Sequence, residues 1–384
     1  MTAQCRWSAL LCLCGVVASD VASAVAFSTG IAPLQDCGGA TGSLALDGGV
    51  AAFLEPLSPL RAAEYGGSDY HPAMGSNLGI ATGYASATAH VSQWCIGLFY
   101  RSEFEGRASK DLLDAWSANR QNRPFDSGRL YSLSLDDRTF SARGLGVGRV
   151  WHLGSSNDHG TRFALVVSYL RGVQITEQTL NGQVRATSPD LGVGTAQWLR
   201  TGTDLGGSGF NPFVSSGAPQ GDGFTADLEM SNTATNGLFT DLLVTDVIGW
   251  IAWRNVPRSL RLLINQSIHY NINLDRDASI TGIDSIASVR SNIRAKVHGL
   301  VRIPMIAGVA AEVADDVIDG YHFPTVGMFT ARGSSTTTIE LDLRTHALGL
   351  RQQFHKVSFS MASNRIDFST ATALAVSVRA SLAW

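Results

Sequence analysis

Residues able to do chemistry are plentiful in this chain of 384 residues, but their spacing forms no catalytic constellation. There is no G-x-S-x-G elbow to present a serine nucleophile and no H-E-x-x-H pair to hold zinc beside a general base. The nine histidines are scattered, without CxxC or paired-ligand spacing. No enzyme activity, cofactor or metal is expected. What the spacing does show is side chains sorted by face. In Thr337–Gly349, Ile339, Leu341, Leu343, Thr345 and Ala347 oppose Glu340, Asp342, Arg344 and His346. Such a mixed-charge row is either a solvated face or the inward face of a closed sheet, pairing across strands. A lone histidine there, His346 or His269, is structural far more often than catalytic.

Elements of period two must carry these rows, because side chains alternate across a strand. The last fifteen residues, TATALAVSVRASLAW, are the clearest case. Thr372, Leu374, Val376, Val378, Ala380, Leu382 and Trp384 share one face, against Ala373, Ala375, Ser377, Arg379, Ser381 and Ala383. This ending resembles the closing strand of bacterial outer-membrane β-barrels, whose terminal aromatic is read by the barrel-assembly machinery. In Gln93–Glu103, Trp94, Ile96, Leu98 and Tyr100 oppose Cys95, Gly97, Phe99, Arg101 and Glu103. Aromatics at both ends of an apolar stripe suit two lipid–water interfaces. Ser141–Tyr169 reads as a hairpin around GSSNDHG, in which Ala164, Val166 and Leu170 make even the second face apolar. An aqueous porin would line its bore with polar groups; a channel for greasy substrates need not.

Composition agrees with a closed sheet in lipid. Charged residues are 16% against roughly 25% for soluble domains, with 40 glycines and a hydrophobic content of 45%. A net charge of −3 argues against nucleic-acid binding. The N-terminus reads as a secretory signal over residues 1–24: Arg6, an apolar ALLCLCGVV core, and Ala22-Ser23-Ala24 for cleavage. Cys14 follows Leu13, where a lipobox wants a small residue. Beyond Val25 no window of about 20 residues is continuously apolar, so membrane crossing by helices is not expected. Export leaves Cys37 and Cys95 in an oxidising compartment, as a disulfide or as two free thiols.

Residues 25–76 lack sustained alternation. There Ala45-Leu46-Asp47-Gly48-Gly49-Val50-Ala51-Ala52-Phe53-Leu54-Glu55-Pro56-Leu57 resembles the hatch run A-x-x-D-x-x-x-x-x-x-N-P-A-G-L of FadL-type outer-membrane long-chain fatty-acid transporters. Asp47, Phe53 and Pro56 match; Glu55 and Leu57 depart from it. The resemblance implies an all-β transmembrane antiparallel barrel with an N-terminal hatch or plug segment. About 14 strands (12–16) are expected over residues 77–384. The glycines of Gly144-x-Gly146-x-Gly148 then read as strand positions beside the hatch, since the full dinucleotide fingerprint is absent. Two interruptions are expected. SKDLLDAWSANR has helical spacing with Ser109 as N-cap. Residues 186–224 read as one long loop, apolar for a loop at Leu191, Trp198, Leu199, Phe210 and Phe213. In the family such loops form a groove where substrate first lands.

The expected function is passive uptake of hydrophobic molecules, fatty acids foremost, through the outer membrane of a diderm bacterium. The partners are the substrate, outer-membrane lipid and the assembly machinery. The candidate path comprises Asp47, Phe53, Leu54, Pro56, Trp198, Phe210, Phe213, Arg344 and Arg379, with Arg162, Arg344 and Arg379 available to a carboxylate headgroup. A general diffusion porin for hydrophilic solutes and a surface adhesin or structural barrel are the alternatives.

Overall fold

The computed structural model describes Cys37, 42–55, Ser58, 72–120, 124–156, 159–188, 191–205, 218–269, 281–306 and 308–383. Pro56, Phe210 and Phe213 lie outside the described residues, as do the signal and all of the segment ahead of Cys37.

The alternating rows pair into one antiparallel sheet that closes on itself. Its first strands are β1 (Ser43–Leu54), β2 (Ser76–Val91), β3 (Trp94–Ser109), β4 (Leu130–Ser156) and β5 (His159–Ser188). Then come β6 (Leu191–Gly202), β7 (Gln220–Thr233), β8 (Phe239–His269), β9 (Thr281–Asn292) and β10 (Lys296–Ile306). The shorter β11 (Val309–Ile318), β12 (Tyr321–Arg332), β13 (Ser335–Asp342), β14 (Leu348–Phe354), β15 (Val357–Ser363) and β16 (Ala373–Ala383) complete it. Closure comes from β16 on β1, where Asp47 faces Arg379 and Leu44 faces Leu382. Both β6 and β7 pair with β5 at successive levels, and β9 and β10 do the same on β8. Each of these pairs is one interrupted wall position, so the sixteen segments make a barrel of 14 strands.

Register separates the two faces. Trp94, Ile96 and Leu98 are outward and exposed, as are Val313, Ile339, Leu341 and Leu382. Cys95, Phe99 and Arg101 on the alternate positions are buried. An exposed apolar belt around a closed sheet is a lipid-facing surface, since closure leaves no backbone edge unpaired in hydrocarbon. The connection of β2 to β3 is only Ser92 and Gln93, and β10–β11, β12–β13 and β14–β15 also turn tightly at that end. The longer connections, including helix α1 (Lys110–Arg120), gather at the other end. Ser109 caps α1 by accepting the Leu112 N–H at 3.2 Å. Arg129 donates to Asp111 at 2.6 Å and Asp114 at 3.0 Å, pinning the helix to the start of β4. Burial alone would raise Asp111. The Ser132 N–H and the Arg129 guanidinium outweigh it and hold the carboxyl below its ordinary range.

Two expectations change. The run Ala45–Leu54 is not part of a hatch but the first wall strand, because Ser43–Leu54 pairs with β2 on one side and β16 on the other. Its glycines and alanines hid the alternation. The stretch 186–224 is not one loop either: Leu191–Gly202 is β6, returning along β5, and β7 begins at Gln220. There Val193, Thr195 and Gln197 alternate with Gly192, Gly194 and Ala196, small residues that carry little hydropathy signal.

Candidate functional site: the lumen

Inward positions of β3 put Arg101, Glu103, Glu105 and Arg107 in a line, and they reach across the bore. Arg101 donates to both carboxylate oxygens of Asp246 on β8, at 2.8 and 2.7 Å, and also pairs with Glu103. Lys296 on β10 donates to Glu103 at 2.9 Å and to Asp246 at 3.1 Å. Thr225 Oγ1 donates to Asp246 at 2.6 Å. Two cations and two anions thus neutralise one another in a buried quartet. Further toward the long connections, Arg294 pairs with Glu105 and with Asp319, and Arg107 pairs with Asp319. The ion pairs form a septum from β3 to the opposite wall.

On one side of the septum, between β3 and β10, a buried apolar cluster occupies part of the lumen. Phe99, Phe140, Ala142, Leu170, Ile175, Ile251, Trp253, Val256 and Ile293 form a single cluster. The glycine series of β4 serves this packing. A Cβ at Gly144 would run into the Phe99 ring, and one at Gly148 would stand 2.6 Å from the sulfurs of both Cys37 and Cys95. Those cysteines are joined as a disulfide across 58 positions, with Cα atoms 5.2 Å apart. The bridge is enclosed by Val150, Ala164 and Val166, and it ties the residue range ahead of β1 to the inner wall. Replacing Cys37 with serine is expected to lower stability by about 2–4 kcal/mol in non-reducing denaturant titrations.

On the other side an apolar cluster lies at the end with the long connections. Phe53 packs edge-on against Phe323, with ring centroids 5.7 Å apart, among Ala51, Leu78, Ile80, Ile318 and Ala375. Arg344 covers it, stacking 4.9 Å from Tyr321 and 5.2 Å from Phe323 and donating to Glu55 at 3.4 Å.

The structure therefore brings Phe53 and Arg344 together, and pairs Asp47 with Arg379 in register. Asp47 also accepts the Tyr84 hydroxyl at 3.0 Å. Leu54 is buried beside Gly79 at the end of β1. Trp198 stands apart, on β6 with Arg200 stacked 4.9 Å away. Arg162 is engaged by Glu229 at 2.7 Å. The expected row from Glu340 to His346 is only half a row. Glu340 and Asp342 point inward and are buried, but β13 ends there. The Asp342 carboxylate takes the N–H groups of Arg344 and Thr345, each at 2.9 Å, and starts a turn that leaves His346 exposed at φ 57°. Sequence reasoning missed the septum, although Arg101 and Glu103 opposite a lipid-facing stripe already marked inward charges.

No family model and no curated protein matches the chain. Among solved structures it is similar to the TodX deltaS2S3 mutant monoaromatic hydrocarbon channel, at 9% identity over 91% of this chain and 92% of that one, with a TM-score of 0.46. It is also similar to the P. putida toluene transporter TodX, at 10% identity over 95% and 96% of the two chains, with a TM-score of 0.44.

Proposed function

We propose that this barrel admits hydrophobic molecules through the outer membrane by passive diffusion, with long-chain fatty acids as the substrate. One observation carries the reading: the bore is crossed by neutralising ion pairs and lined at the long-connection end by the Phe53–Phe323 cluster. An apolar solute gains by leaving water for such a surface, whereas a standing water column would need an open polar bore. Arg344, lying over the aromatic rings, is placed to meet a carboxylate headgroup if it leaves Glu55. The outward belt meets lipid, and β16 is the proposed signal to the assembly machinery.

Binding of a fluorescent long-chain fatty acid to the refolded barrel tests this. Phe53→Asp sets a charge among apolar side chains and is expected to weaken saturable binding about tenfold or more. Trp198→Asp asks whether substrate lands first on the β5–β6 hairpin. Absence of binding together with steady ion conductance in planar bilayers would replace this reading with a diffusion porin.

A further inference from the structure

A cavity of about 330 Å³ opens among β3, β4, β5, β6, β8 and β9, and its walls are polar. It is a dead end. Val289 lines it and also packs against the buried apolar cluster beneath. Glu105, Arg107 and Arg294, which close one flank, belong to the septum. A solute entering from the long-connection end can be held there but cannot pass on through described wall.

The lining charges are mostly spoken for. Arg138 donates to Glu105 at 3.3 Å and to the Asn292 carbonyl. Glu177 accepts from Ser291 at 2.8 Å, and Asp137 accepts from Gln178 at 2.6 Å. Two lining groups of opposite sign, Arg258 and Asp136, have no ion pair or side-chain hydrogen bond among the described residues. Asp136 is paired in register with Thr179, Thr179 with Leu199, and Arg258 with Thr201. The two charges therefore stand three strand spacings apart, about 14 Å, and offset by two residues. An arginine stem and an aspartate stem close much of that span, leaving a gap for one small solute.

We infer that this blind cavity binds a compact zwitterion of the amino-acid type, its carboxylate on the Arg258 guanidinium and its ammonium on Asp136. A bidentate guanidinium–carboxylate pair in a recess supplies the stronger contact, and the aspartate excludes simple anions. Such a site is separate from the apolar cluster around Phe53 and is an additional binding function of the barrel.

Equilibrium dialysis of radiolabelled L-leucine against the refolded full chain tests it. Saturable binding is expected, weakened about tenfold or more in Arg258→Ala and in Asp136→Asn, and partly restored in Arg258→Lys. Heat-modifiable migration of each variant checks that the barrel has formed. Phe53→Asp should leave leucine binding intact, which separates this site from the hydrophobic path. Absence of saturable binding, or binding unchanged in both variants, overturns the inference. So does displacement by acetate as effective as by leucine, which would leave a plain anion site.

Discussion

Asp246→Ala should unfold at clearly lower denaturant than the parent barrel, with a loss of about 3–5 kcal/mol. The reason is what it leaves behind. Arg101 and Lys296 both use Asp246, and all three side chains are almost wholly withdrawn from solvent. Glu103 then holds the two cations with only Asp227 as a further buried acid nearby, and the direct partner of Arg101 and Lys296 is gone. Removing one partner of a buried network costs more than removing the network, because the desolvation of the survivors is no longer offset. The same logic gives a second arm. Arg101→Met, Glu103→Met, Asp246→Leu and Lys296→Met combined should cost less than Asp246→Ala alone. Unfolding of the refolded barrel in guanidinium, followed by tryptophan fluorescence, reads both. If the single variant is as stable as the parent, the quartet is not the cross-lumen tie that its distances indicate. Planar-bilayer recordings add a functional reading, since loosening the septum should raise ion conductance.

Much of the wall was legible because lipid imposes a one-sided rule. Residues facing hydrocarbon must be apolar, so β3 and β16 announced their faces through Trp94, Ile96 and Leu98 and through Leu374, Val376 and Leu382. Strands with rows of small residues gave no such signal. In β6 the row Gly192, Gly194 and Ala196 is small, and in β1 Gly48 and Ala52 interrupt the outward Leu44, Leu46, Val50 and Leu54 while Ala45, Gly49 and Ala51 leave the inward row little polarity to set against it. Those are the places where the sequence reads as hatch or loop and the structure pairs a strand. The lumen was less legible still. Arg101 and Asp246 are 145 positions apart, and nothing local says which inward acid meets which inward base. Strand order and register decide that, and both are properties of closure. By contrast, Gly144 and Gly148 were identifiable as strand glycines, since the alternative needed a helix that the pattern does not contain. What they make room for, a phenyl ring and a disulfide, lies on β3.

Trp253→Ala is expected to cost about 3–5 kcal/mol, the range for deleting a buried aromatic side chain. Trp253 is 1% exposed and is the largest fully buried side chain among the described residues. Its ring lies against two glycines from neighbouring strands: a Cβ at Gly172 would overlap it, and one at Gly221 would stand 2.7 Å away. The wall has thus given up two side chains to seat one, so little neighbouring bulk can collapse into the void. That placement makes a sharper test than truncation alone. Gly172→Ala in the parent should destabilise by about 1–3 kcal/mol through overpacking. In the Trp253→Ala background the same alanine enters empty space, and its cost should shrink or change sign. A double-mutant cycle with coupling near zero would mean the ring does not occupy the position drawn for it. The void would also open the floor of the blind cavity, because Val289 packs against the cluster that Trp253 anchors. Conductance of Trp253→Ala should therefore rise even with the septum intact, by a route on the opposite side of it from Phe53. Blocking that added current with a thiol reagent on Ala142→Cys, but not in Trp253→Ala alone, would place the new path in the half of the bore that Trp253 fills.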